Sequence, residues 1–227
     1  ARQQVAASCG VSPAEVVFTS GGSEANAQCL LGMHFATDAL RLITSDTEHS
    51  SVRDSVSFLE ARGAKVARVR IQPNGAVDME HFRELLREMR PHLVSLMAAN
   101  NETGVALPTQ EVAALCKEYG AVFHCDCVQS FGKIPAAQWN GADLISLSSH
   151  KIYGPKGVGA MIVKSHQKLI PLPFGGTQEV KRRGGTQNMV GIVGFGAACE
   201  ELTLRPSGFE QSQLRDHFEK QLLTQLE

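Results

Sequence analysis

Leu144-Ile-Ser-Leu-Ser-Ser-His-Lys-Ile-Tyr-Gly-Pro-Lys-Gly157 passes within a few residues from an apolar run to hydroxyls, an imidazole and an amine, and then into a glycine-spaced turn. A short apolar run bounded by turn residues reads as a buried strand. The polar groups therefore stand at that strand's carboxyl end. The pattern repeats along the chain. Branched or apolar runs recur at Val16 to Thr19, Leu42 to Thr44, Val66 to Ile71, Leu93 to Met97 and Ala121 to His124, and Gly154 to Val163 reads as a turn followed by one further strand at or near a sheet edge. Amphipathic, helix-like stretches lie between them: Glu24 to Phe35, Val52 to Ala64, Met79 to Met89 behind an Asp78 cap, and Glu111 to Tyr119. Strand and helix alternate. That order predicts a three-layer α/β/α sandwich with a mixed, mostly parallel sheet of about seven strands and ligands gathered at the strands' carboxyl ends.

The 227 residues carry 22 basic and 23 acidic side chains, six cysteines and 43% apolar content. The charges nearly cancel and are interspersed, so no basic stripe exists to hold a phosphate backbone, and nucleic acid is excluded as a partner. No apolar run approaches the roughly 20 residues of a membrane-spanning helix, and the first residues lack the basic-then-apolar layout of a signal peptide. A cytoplasmic protein without a membrane partner is the expectation. The cysteines (Cys9, Cys29, Cys116, Cys125, Cys127 and Cys199) are irregularly spaced in a chain long enough to fold without staples, which predicts reduced thiols. Both ends, helical at Arg2 to Cys9 and Phe209 to Leu226, read as cut. The domain division expected is a large domain over 1–208, short of its N-terminal segment, and a helix over 209–227 leading to a further small domain.

Five constellations fall at carboxyl ends of predicted strands. A strand-end lysine beside apolar residues, Lys151, is placed to be desolvated and to form an imine with an aldehyde cofactor; the competing reading is a surface lysine in a glycine turn. Asp126, a single acid ending the apolar run in His124-Cys-Asp-Cys-Val-Gln129, needs a cationic partner if buried. A protonated pyridine nitrogen would serve, and so would a plain role capping the next turn. Thr19-Ser-Gly-Gly-Ser-Glu24 joins a strand to a helix with the glycines and hydroxyls of a phosphate cup, or of an ordinary capping turn. His49 follows the second strand, and Asn100-Asn-Glu-Thr-Gly104 the fourth; each alone is equally a structural histidine or a turn. One pocket could collect all five. The histidines lack metal-ligand spacing, and no metal is expected.

These motifs, with Thr47-Glu-His49, Phe174-Gly-Gly-Thr-Gln-Glu179 and Gly185-Thr-Gln-Asn188, resemble the cysteine desulfurases, pyridoxal 5'-phosphate enzymes of the class-V aminotransferase type with the large domain of fold type I. The match runs in order over nearly the whole chain. By that resemblance Lys151 would bind the cofactor and act as base, Asp126 would hold the pyridine nitrogen and Gln129 the phenolic oxygen. His49 would stack on the ring, and Asn101 would lie beside ring and substrate. Gly22, Ser23, Ser148 and His150 would grip the phosphate, while Thr186 would reach the phosphate of a neighbouring subunit in a homodimer.

The implied reaction takes sulfur from L-cysteine, leaves alanine, and passes the sulfur as a persulfide to an acceptor protein such as an iron–sulfur scaffold. Selenocysteine lyases and other class-V lyases share the motifs. Three family features are missing: the loop cysteine that accepts sulfur, the arginine of the small C-terminal domain that takes the substrate carboxylate, and the N-terminal Asn-Ala-Ala-Thr-Thr segment. A fragment of a longer protein, catalytically inactive by itself, is the reading that follows. Cys125 and Cys127 flank Asp126 on a strand and should face away from its side, as packing residues. Two milder departures are Ser23, where the family usually has threonine, and the basic run Lys181-Arg-Arg183.

Overall fold

The computed structural model describes residues 1–204 and 209–226. Seven strands form one sheet: β1 (Val16–Thr19), β2 (Arg41–Thr44), β3 (Lys65–Arg68), β4 (Leu93–Ser95), β5 (Val122–Asp126), β6 (Leu144–Ser148) and β7 (Gly159–Val163). Their spatial order is β1-β7-β6-β5-β4-β2-β3, with β7 antiparallel to both of its neighbours and the remaining pairs parallel. Two reversals cancel, so β1 runs the same way as β6. The carboxyl ends of β1, β2, β4, β5 and β6 therefore share one edge. The parallel strands β2, β4, β5 and β6 are buried almost throughout, as continuous apolar runs covered on both faces must be.

Two apolar layers flank the sheet. On one face α2 (Gly22–Ala36) and α3 (Ser50–Glu60) bury Ala25, Cys29, Leu30, Val52, Val56 and Leu59 against Leu42, Leu93 and Leu144. On the other, α1 (Arg2–Cys9), α4 (Met79–Met89), α5 (Thr109–Tyr119) and, after the one-turn α6 (Gln178–Lys181), α7 (Met189–Leu204) bury residues such as Val5, Phe82, Val112 and Phe195 against Ile43, Val94, Phe123 and Ile145. The helices start and stop where local chemistry dictates. Asp78 accepts the His81 N–H at 3.0 Å, and Gly120 closes α5 in the left-handed region.

The strand expected at or near the sheet edge, β7, lies one place in, between β1 and β6. Glycine makes that position available: a Cβ on Gly159 would lie 2.5 Å from the Leu147 carbonyl oxygen and 2.8 Å from Gly21 Cα. The strand expected through Ile71 stops at Arg68, and Ile71 instead bridges Val77 in a local turn-back. The helix expected from Glu24 begins two residues earlier, which puts Gly22 and Ser23 in its first turn.

The large-domain boundary expected at residue 208 falls outside the described residues, and α8 (Phe209–Leu226) follows it as a helix. Among the described residues no helix is long and apolar enough to cross a membrane.

Candidate active site

Gly22, Ser23, Asn26, His49, Ser51, Met97, Ala99, Asn101, Asp126, Val128, Gln129, Ser148, His150 and Lys151 line one cavity of about 270 Å³ at the shared carboxyl edge of the sheet. Strand topology explains the gathering. Five separate strand ends deliver one to three polar groups each, while alternate residues of the same strands point into the core. All nine residues expected in the chain's own site line it, and the tenth, Thr186, is the one expected to reach a neighbouring subunit's phosphate. Thr186 is exposed and lines a small separate hollow with Thr19, Ser20, Gly157 and Arg183.

Asp126 is the buried charge of the site. It is 4% exposed, accepts the Asn26 side-chain N–H at 2.7 Å on Oδ2 and the Val128 backbone N–H at 2.9 Å on Oδ1. Burial pushes its carboxyl above the usual range, against the pull of those two hydrogen bonds and of His49. A cation in the cavity would reverse the balance and hold the carboxylate ionised. Cys125 and Cys127, on either side, are fully buried in the opposite apolar layer, as strand alternation requires.

His49 caps α3. Its Nδ1 accepts the Ser51 N–H at 3.2 Å and meets the Ser51 hydroxyl at 2.8 Å, leaving the ring as an exposed wall of the cavity. The loop that carries it is pinned from behind by Glu48, whose Oε1 accepts the Met97 N–H at 2.9 Å and the Ser45 hydroxyl at 3.1 Å. Asn100 fixes the next turn: its side chain donates to the Thr47 carbonyl at 2.8 Å and accepts from the N–H groups of Glu102 and Thr103 at 2.9 and 2.8 Å. Asn101 is thereby left exposed at the cavity mouth.

The opposite wall is the N-terminus of α2. The first N–H groups of a helix have no carbonyl within it to bond, and with the helix dipole they form a seat for an anion. Gly22 is required for the closeness of that approach, because a Cβ there would lie 2.7 Å from Val128 Cγ2. Ser148 is buried with its hydroxyl 2.9 Å from His150 Nδ1. Burial, then the charges of Lys151 and Lys156, lower His150, which keeps its imidazole neutral at pH 7. Lys151 follows in the short 3-10 turn Ser149–Ile152, half-buried at the cavity wall.

Of the polar residues that line or support the cavity, Asn26 and Ser51 are not singled out by the sequence, and Glu48 stands there only as the middle of Thr47-Glu-His49, without a role. Asn26 had a signal. It lies three residues after Ser23 and four after Gly22 on one helix, so all three share a face, and a buried asparagine among Ala25, Cys29 and Leu30 calls for a polar partner.

The residues present suit a phosphorylated pyridine aldehyde. They offer an anion seat at the Gly22 helix end, a buried carboxylate with room for a cation beside it, an imidazole wall and an amine. The fit rests on the cradle that any Cβ at Gly22 would fill and on Asp126, a buried acid whose hydrogen-bond partners, Asn26 and the Val128 N–H, are uncharged.

The chain is 45% identical over 221 residues to a cysteine desulfurase, mitochondrial, of Arabidopsis thaliana, a match covering 95% of this chain and 48% of that protein. Among solved structures, a NifS-like protein superposes with a TM-score of 0.90 at 36% identity, over 99% of this chain and 62% of the other. A structure described as SspA in complex with cysteine superposes with a TM-score of 0.82 at 36% identity, over 88% and 58%. The chain thus spans about half the length of the curated relatives it matches. The family model of the class-V aminotransferases matches residues 1–226, and the chain belongs to that family.

Proposed function

We propose that this chain is the cofactor-binding core of a pyridoxal-phosphate-dependent cysteine desulfurase, which takes sulfur from L-cysteine and leaves L-alanine. One observation carries the reading: Lys151 and Asp126, 25 residues apart and on different strand ends, line the same cavity. Names of similar proteins, and the cysteine found with one of them, support the choice of substrate.

When bound, the cofactor supplies an electron sink for negative charge at the substrate's α carbon. The chain's residues do the rest. Lys151 Nζ would hold the cofactor at its aldehyde carbon, and as a free amine it would take the proton from the substrate's α carbon. Asp126 would keep a proton on the ring nitrogen, Gln129 would donate to the phenolic oxygen and His49 would cover the ring face. Asn101 borders ring and substrate. Gly22, Ser23, Ser148 and His150 receive the phosphate.

All six cysteines are buried. Burial pushes the thiols of Cys29 and Cys116 well above their usual value and that of Cys199 up to about 12, and with all six buried none is a ready nucleophile. The sulfur-accepting cysteine is therefore a residue other than these six. That observation also favours a second reading, in which this chain binds the cofactor and does not turn over. Selenocysteine lysis would use the same cavity.

A homodimer belongs to the proposal, with residues 1–208 as its large domain and 209–227 leading to a small one. Thr186 is exposed, as are Met189, Val190 and Val193 of α7, which supports a role for it at a second subunit's phosphate. A cytoplasmic address and transfer of sulfur to an acceptor such as an iron–sulfur scaffold complete the reading.

Titration of the chain with pyridoxal phosphate tests it. The expected result is an absorbance band near roughly 400–430 nm that Lys151→Ala lacks, with little or no alanine released from L-cysteine. An identical band in Lys151→Ala would overturn the assignment.

A further inference from the structure

Lys133 does not line the cavity, yet it bears on it. It follows Gly132, whose φ of +73° turns the chain back against the segment carrying Lys151; a Cβ on Gly132 would lie 2.8 Å from Ile152 Cγ2. From there the Lys133 ammonium donates to the Gln129 carbonyl oxygen at 3.1 Å and to Gln129 Oε1 at 3.4 Å. An ammonium has no acceptor to offer. The side-chain atom of Gln129 that faces it must be the oxygen, and the NH2 of the same amide is turned the other way.

We propose that Lys133 is a positioning residue: it fixes the orientation of the Gln129 amide, so that the cavity presents an N–H donor, and hence selects an anionic oxygen on the ligand at that point. The inference rests on the functional reading above, in which that oxygen is the phenolic one of the cofactor. Without Lys133 the amide is free to turn and offer its oxygen, which repels an anion. Partial desolvation and then the facing charge of Lys151 lower Lys133 itself, so the tether weakens as the medium becomes alkaline. The other titratable groups facing this region are Lys151 from the turn after β6, His150 beside it, Asp126 at the end of β5 and His49 ahead of α3.

The test has two arms. In the chain without cofactor, the Gln129 side-chain NH2 resonances are followed by NMR as pH is raised. They should move with the titration of Lys133, be displaced in Lys133→Met and stay near their parental positions in Lys133→Arg. In the cofactor-loaded chain, the pH midpoint of the long-wavelength absorbance band is measured. A donor on the phenolic oxygen draws negative charge away from the neighbouring nitrogen contributed by Lys151. Lys133→Met should therefore raise the midpoint by about half a pH unit or more, as should Gln129→Ala. Added to Gln129→Ala, Lys133→Met should have less than half its effect in the parent.

Equal shifts in both backgrounds would mean that Lys133 acts by charge alone and would overturn the proposal. So would Gln129 resonances indifferent to Lys133, or a midpoint in Lys133→Arg as displaced as in Lys133→Met. A chain that takes up no cofactor refutes the functional reading instead, and the first arm still decides the role of Lys133. If Lys133→Met does not fold, the pH series on the unaltered chain decides it.

Discussion

Replacing Glu48 by glutamine should stabilise the chain at neutral pH and leave it nearly unchanged in acid. Glu48 is 3% exposed; one oxygen accepts from Met97 and Ser45, and the other has no partner among the described residues. Burial pushes its carboxyl from 4.5 up to about 8, opposed by the Met97 hydrogen bond and reinforced by the charge of Asp126. The folded state thus binds the Glu48 proton more tightly than the unfolded state does. The stability this contributes is fully present below about pH 4.5 and is lost as pH rises through about 8. At about 1.4 kcal/mol per tenfold change in affinity, the full swing is on the order of 3–5 kcal/mol. Glutamine keeps the shape and the accepting oxygen but carries no charge at any pH. Urea denaturation of parent and Glu48→Gln without cofactor, at pH 5 and pH 8, should show the variant's advantage growing by about 3 kcal/mol between the two, with equal m-values. Other titrating groups cancel in that difference. An advantage constant to within about 0.5 kcal/mol would refute the reasoning, because Glu48 would then titrate alike in both states.

Gly22→Ala drives a Cβ to 2.7 Å from Val128 Cγ2 and should cost about 1–3 kcal/mol in thermal denaturation, recovered in part by Val128→Ala. Asp126→Asn should leave the cofactor-free chain at least as stable, since burial opposes that charge, while weakening cofactor binding by about 1.5–3 kcal/mol, roughly 10- to 150-fold, in a fluorescence titration. Arg183→Met removes a bidentate partner of Glu24 at 2.7 and 3.1 Å. Although burial pushes the Glu24 carboxyl up, Arg183 and the Ser20 N–H outweigh it and hold the group below its usual range, so the parent loses this stabilisation as pH falls. The variant should be about 1 kcal/mol less stable at pH 7, with a smaller loss on acidification.

The strands were legible because parallel strands buried on both faces must be apolar along their whole length, and the cavity was legible because each such run ends in a polar cluster. Met79–Met89 with its Asp78 cap, and the outward turn of Cys125 and Cys127 from Asp126, needed only local rules. What stayed hidden depends on contacts between distant segments. The place of β7 inside the sheet rests on the approach of Gly159 to Gly21, which no local pattern encodes. Glu48 reads in sequence as one polar residue of a loop; only the fold brings it beneath the backbone of Met97. Residues such as Asn26 and Lys133 act on other site residues, Asp126 and Gln129, and such pairings emerge only once the strands are ordered.

The most direct measurement is borohydride reduction of the chain after loading with pyridoxal phosphate, followed by peptide mass mapping. The account predicts loss of the long-wavelength absorbance and the reduced cofactor's added mass on the peptide containing Lys151. The same mass on a peptide bearing Lys133 or Lys156 and not Lys151, or on none, would contradict it.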